Sequence, residues 1–258
     1  ILEIGKSFNS YKVEHIACSN YTNFYNDKWR IKKNNIPFLL PSSEKLKKLV
    51  ESFGIKETDT IILYAKKNDK YAMAEVTSIF FTFKYLGHKR ISILNGSFDD
   101  FKKKYPFQIE NGLVPLIQTS SYTINLNNKI LADYVEVKEQ IKLKKALVDS
   151  RETDFFYGIN KIVGFKTYGT IKGSKNIPAM WNLEGRNLKF NNKAKLQKIF
   201  SMQNIDGNKD QPIFFCYAGL ESSINWFVSS QILKHKNSRL YESSLHEWVN
   251  KEKDLVIK

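Results

Sequence analysis

The segment Pro212-Ile-Phe-Phe-Cys216-Tyr-Ala-Gly219-Leu-Glu-Ser222-Ser223 and the amphipathic stretch from Ile224 to Leu233 after it constrain the fold more than any other part of the chain. A short apolar run bounded by turn residues reads as a buried strand, and the helical spacing that follows reads as a helix. Cys216 then stands at the carboxyl end of a strand and faces the amino end of a helix. Backbone N–H groups there lack helical partners, and the helix dipole favours negative charge. Such a cradle stabilises a thiolate, so the Cys216 pKa is expected below the free-thiol value of about 8.5. The chain reads as built around one reactive sulfur, which has to be reachable from solvent.

Strand and helix patterns alternate on both sides of a polar, aperiodic stretch from Gln118 to Asn128. Before it, Ile1 to Ile4, Thr60 to Tyr64 and Ile91 to Leu94 read as strands. Glu44 to Phe53 (capped by Ser42 or Ser43), Ala72 to Leu86 (stopped by Gly87) and Phe98 to Lys103 read as helices. After it, Ala146 to Arg151, Pro212 to Phe215 and Arg239 to Tyr241 read as strands. Lys193 to Met202, Ile224 to Leu233 and Leu245 to Val249 read as helices. Alternation of this kind predicts an α/β fold with a mostly parallel sheet flanked by helices in each half.

Several segments together resemble the rhodanese family of tandem-domain thiosulfate/3-mercaptopyruvate sulfurtransferases. Leu147-Val-Asp149-Ser-Arg151 resembles the family's Asp-x-Arg strand end. Gly169-Thr-Ile-Lys-Gly-Ser174…Asn176-Ile-Pro178 resembles Gly-His-Ile-x-Gly-Ala/Ser…Asn-Ile/Met-Pro. Cys216-Tyr-Ala-Gly219-Leu-Glu-Ser222-Ser223 resembles the active loop Cys-x-x-Gly-x-x-Ala-Ser, and Leu240 to Trp248 resembles Leu-Tyr-Asp-Gly-Ser-x-x-Glu-Trp. In the first half, Tyr85-Leu-Gly-His88…Ile93-Leu-Asn-Gly96-Ser-Phe98 resembles Tyr-Leu-Gly-His…Val-Leu-Asp-Gly-Gly-Phe.

The resemblance implies two rhodanese-like domains: an inactive one over residues 1–117, a linker over 118–129 and a catalytic one over 130–258. It implies that Cys216 accepts a sulfane sulfur as a persulfide and passes it to a small thiol or cyanide, with no cofactor and no metal. Backbone and hydroxyl donors of Tyr217, Ala218, Gly219, Leu220, Glu221, Ser222 and Ser223 are expected to hold the persulfide anion. Lys172 and Arg186 are the candidates for binding the donor. Thiosulfate is favoured over 3-mercaptopyruvate because a basic surface suits a dianion.

The chain departs from the family pattern at three places. Tyr217-Ala218 matches neither the basic pair of thiosulfate users nor the Gly-Ser/Thr-Gly of mercaptopyruvate users. Glu221 puts an acid beside the thiol, and Thr170 replaces the usual histidine, so one hydrogen-bonding anchor is expected to be missing. These departures leave a non-catalytic binding or sulfur-sensing module as the alternative. The sequence argues strongly against a phosphatase of the related cell-cycle type, because Ser222 stands where Cys-x5-Arg requires arginine.

The net charge is +15 over 258 residues, but the lysines are dispersed and no nucleic-acid recognition motif accompanies them. A nucleic-acid partner is therefore not expected. No stretch approaches the roughly 20 apolar residues of a membrane span. His15, His88, His235 and His246 have no metal-ligand spacing with Cys18 or Cys216. A monomer or weak dimer is expected. The cytoplasm is the expected compartment, with the periplasm as the alternative because a leader can have been trimmed.

Overall fold

Leu2–Ile4 (β1) and Ile61–Ala65 (β3) are short apolar runs that pair in parallel, with Glu3 opposite Tyr64. The computed structural model describes residues 1–66, 71–113, 117–165, 167–185, 188–252 and 255–257. The chain divides into two units. Ile1–Ile31, Leu40–Asn127 and Gly185–Phe190 form the first, and Lys32–Leu39, Asn128–Glu184 and Asn191–Lys258 form the second.

In the first unit Asn20–Thr22 (β2) and Ile91–Ile93 (β4) complete a parallel sheet of order β2-β1-β3-β4. Its helices are Phe8–Val13 (α1), Ser43–Ser52 (α2), Ala72–Tyr85 (α3) and Phe98–Lys104 (α4). The Ser42 side chain caps α2 by accepting the Lys45 N–H. Helix α3 is apolar nearly all round and buried from Ala72 to Phe83, as a helix without a polar face must be. It ends at Gly87, whose φ of +89° suits glycine. A Cβ there would lie 2.1 Å from the Asn125 carbonyl oxygen. The polar stretch after Gln118 runs along this unit: Asn125 N–H donates to Leu86 O, and Ser120 N–H to Glu51 O.

The second unit repeats the order. Leu131–Ala132 (β5), Leu147–Asp149 (β6), Lys175–Asn176 (β7), Ile213–Phe215 (β8) and Arg239–Tyr241 (β9) form a parallel sheet, β7-β6-β8-β9-β5. Its first four strands, read from the β7 edge, correspond one for one to the sheet of the first unit. The longer helices are Tyr134–Lys142 (α5), Lys193–Met202 (α6), Ser222–Phe227 (α7) and Ser244–Glu252 (α8). Asp133 and Glu136 form a capping box at α5. One core cluster joins Val137, Leu147, Ile171, Ile213, Phe215, Tyr241, Leu245 and Trp248.

The α/β architecture agrees with the sequence expectation, and one local reading is corrected. The helix expected from Ile224 to Leu233 begins at Ser222 and passes into a π-helical turn, Val228–Ile232. Within it the Ser230 hydroxyl bonds back to the Trp226 carbonyl at 2.7 Å. Tyr11 to Cys18 holds the end of α1 and a strand, His15–Ile16, antiparallel to Ile109–Glu110. Among the described residues no helix is long and apolar enough to cross a membrane.

Candidate active site

Strand β8 lies between β6 and β9, so all three of its residues are buried, which suits its Ile-Phe-Phe sequence. Cys216 follows directly. The loop from Cys216 to Glu221 is fastened to the start of α8. Ser244 Oγ accepts the N–H of Cys216 and that of Gly219, each at 3.1 Å, and donates to Tyr241 O at 2.7 Å. The N–H groups of Leu245 and His246 donate to the carbonyls of Cys216 and Tyr217. Gly219 has φ +78°, and a Cβ there would meet Glu242 O at 2.7 Å. Glycine is thus required both by conformation and by space.

These bonds redistribute the donors expected around the sulfur. The Gly219 N–H is committed to Ser244, and the Ser223 N–H and hydroxyl go to Leu220 O. The donors that favour a thiolate at Cys216 are the hydroxyl and N–H of Ser222 and the N–H of Ala218. The Ser222 hydroxyl lies 3.5 Å from Sγ.

Cys216 is 2% exposed. Burial pushes its thiol pKa up, and the Glu221 carboxylate pushes it further in the same direction. Both outweigh the donors of Ser222 and Ala218. The expectation of a depressed pKa is therefore corrected: the charge cradle exists, but desolvation exceeds it. The requirement of a solvent-reachable thiol is not met in this conformation.

Tyr217 turns away from the loop. Its ring packs against Phe165 at 4.9 Å and Phe155 at 5.7 Å, with the Arg151 guanidinium 4.6 Å from its centroid. Arg151 is 2% exposed; its Nη2 reaches Asp149 Oδ2 at 2.6 Å and Gly169 O at 2.7 Å. Thr170 Oγ1 donates to the same Asp149 oxygen at 2.7 Å and lies 3.0 Å from Ser174 Oγ. The anchor expected to be missing at Thr170 is present, because a hydroxyl reaches the Asp149 carboxylate directly. Asn176 Nδ2 closes the network on the carbonyls of Asp149 and Arg151.

Lys172 is exposed, and among the described residues no hydrogen bond, ion pair or ring contact joins it to the Cys216 loop. Arg186 lies outside the described residues. Trp248 is a core residue, whereas Trp181 is 40% exposed. Sequence reasoning missed the role of Ser244. Its only local signal was a serine just before an apolar helical pattern, which reads as a cap and not as an acceptor for a loop 25 residues upstream.

A family model described as "Rhodanese-like domain" matches residues 133–251. A protein of Mycolicibacterium smegmatis named "Putative thiosulfate sulfurtransferase" is 31% identical over 80% of this chain and 74% of its own length. The "Sulfur carrier protein TtuD" of Thermus thermophilus is 27% identical over 97% of this chain and 87% of its own. Among solved structures, Tum1 of Saccharomyces cerevisiae matches with a TM-score of 0.79 at 18% identity, covering 97% of this chain and 88% of that one. EanB matches with a TM-score of 0.83 at 19% identity, and this chain spans 63% of the EanB chain. At such identities the two structures speak for the fold alone.

Proposed function

This chain belongs to the rhodanese family, among sulfurtransferases and sulfur carriers, and from that footing we propose that Cys216 carries sulfur as a persulfide. The observation that carries this reading is the position of Cys216 immediately after the central strand β8, with Ser222 and Ala218 donating toward its sulfur. The Cys216 thiolate attacks the outer sulfur of thiosulfate. A new S–S bond forms, the S–S bond of the donor breaks, and sulfite leaves with the electron pair. A thiophilic acceptor such as cyanide then attacks the outer persulfide sulfur and returns the thiolate. The name of the M. smegmatis relative supports thiosulfate as donor; 3-mercaptopyruvate is the other donor of the same chemistry.

In this reading residues 130–258 are the catalytic part and residues 1–117 an inactive counterpart. The supporting comparison is positional: Lys66 follows β3 where Cys216 follows β8. The burial of Cys216 and the Glu221 carboxylate favour a second reading, a binding or sulfur-sensing module whose thiol is kept protonated. Thiocyanate formation from thiosulfate and cyanide separates the two. Turnover that disappears in Cys216→Ser supports the transferase, and absence of turnover in the wild type supports the module.

A further inference from the structure

Helix α7 carries the Ser222 hydroxyl that reaches Cys216 Sγ, yet among the described residues no side chain caps its first turn. The helix also passes directly into the π-helical turn Val228–Ile232, where the register of its hydrogen bonds changes. Neither end of α7 therefore fixes the height of Ser222 against the end of β8.

Asn225 stands three residues after Ser222, on the same face of α7. It is fully buried beside the apolar Ile224 and Trp226. A buried amide is costly unless it is hydrogen-bonded, and this one is bonded through both of its polar atoms. Its Nδ2 donates to Ile177 O at 2.6 Å and to Ser150 Oγ at 2.8 Å, and its Oδ1 accepts from Asn182 Nδ2. Each Nδ2 faces a carbonyl, Ile177 O for Asn225 and Ala179 O for Asn182, so neither amide can be turned round.

Ser150 connects this amide to the strand that carries the thiol. It follows β6, and its N–H donates at 2.8 Å to the carbonyl of Phe215, the residue before Cys216. A closed bracket results. Phe215 O holds Ser150, Ser150 Oγ holds Asn225, and one turn of α7 joins Asn225 to Ser222, whose hydroxyl lies 3.5 Å from Sγ.

We propose that Asn225 is a positioning residue for Cys216: acting through the first turn of α7, its amide sets the Ser222 hydroxyl within reach of the sulfur. Its effect on sulfur transfer rests on the reading of Cys216 as the sulfur carrier, whereas its effect on the thiol does not. A hydrogen bond donated to the thiolate favours the charged form, so loss of the bracket withdraws that support.

The test follows alkylation of Cys216 by iodoacetamide against pH, read on the Cys216 peptide by mass spectrometry, beside the gain of sulfur from thiosulfate. Asn225→Leu removes all three bonds at similar volume. It should raise the midpoint of alkylation by about half a pH unit to one pH unit, the scale of one hydrogen bond to the thiolate. Sulfur loading at pH 7 should fall by about three- to tenfold. Ser150→Ala removes one partner of the amide and keeps the backbone bond to Phe215. It should move the midpoint the same way by less, and it provides the test should the leucine variant not fold. In a Ser222→Ala background Asn225→Leu should add no further shift, a coupling that a merely structural role would not produce. A midpoint unmoved or lowered in the folded single variants, or an equal shift with and without Ser222, would overturn the positioning role. Wild-type protein that gains no sulfur from thiosulfate would count against the persulfide reading instead, and the alkylation midpoints would still decide the role of Asn225.

Discussion

The hydroxyl of Ser244 accepts the backbone N–H of Cys216 at 3.1 Å. Because the same oxygen takes the Gly219 N–H and donates to Tyr241 O, one buried side chain fixes both the start and the middle of the loop that carries the sulfur. Ser244 has φ +48°, a left-handed conformation that costs a non-glycine residue energy and that these three bonds maintain. Ser244→Gly relieves the backbone strain but removes the hydroxyl. It should lower stability by about 1–3 kcal/mol, since two buried N–H groups lose their acceptor. It should also slow sulfur loading of Cys216 more than it changes alkylation of the same thiol. Urea denaturation and the two rates check this; loading at the wild-type rate would contradict it.

After burial, the Glu221 carboxylate is the next cause that raises the Cys216 thiol pKa. Burial and the Glu221 charge both raise the thiol pKa, so reaction with iodoacetamide should reach its midpoint above the ordinary thiol range. Removing an anion favours the thiolate. Glu221→Gln should therefore move the midpoint to lower pH and speed alkylation at pH 7. A midpoint unchanged or raised in Glu221→Gln would show that its carboxylate does not act on the sulfur.

Glu3 should make the fold less stable as pH rises. Its folded pKa of about 6 lies above the ordinary carboxyl value, mainly through burial. The folded chain keeps a proton that the unfolded chain has released, so stability is full below the unfolded pKa and falls as pH rises through about 6. Glu3→Gln removes that dependence and should gain up to about 2 kcal/mol at pH 7. Unfolding midpoints at pH 4 and pH 7, compared between wild type and variant, measure it.

Thr170 should matter for stability through Asp149. Thr170→Val keeps the shape and removes the donor to a fully buried carboxylate that Arg151 also binds. A loss of about 1–3 kcal/mol in urea denaturation is expected. A neutral result would mean that Arg151 alone satisfies Asp149.

What was legible in the sequence followed from periodicity and local chemistry. The apolar runs of β1, β3, β6 and β8 and the Ser42 cap could be read directly. The two-residue strands β5 and β7 could not, because a run so short has no period and exists only through its parallel neighbours. The segment after Gln118 has no period either, since it is fixed by backbone bonds to residues such as Leu86 and by burial of Tyr122. Cys216 was legible as the central thiol of a strand–loop–helix. Its raised pKa was not, because desolvation is set by residues distant in sequence. The double acceptance by Ser244 was hidden for the same reason.

The persulfide role of Cys216 is tested by the intact mass of the protein after incubation with thiosulfate and, separately, with 3-mercaptopyruvate. A gain of one sulfur atom that cyanide removes and that Cys216→Ser abolishes is expected. No gain with either donor, in protein whose Cys216 is still alkylated by iodoacetamide, would contradict the persulfide role and leave the binding-module reading in its place.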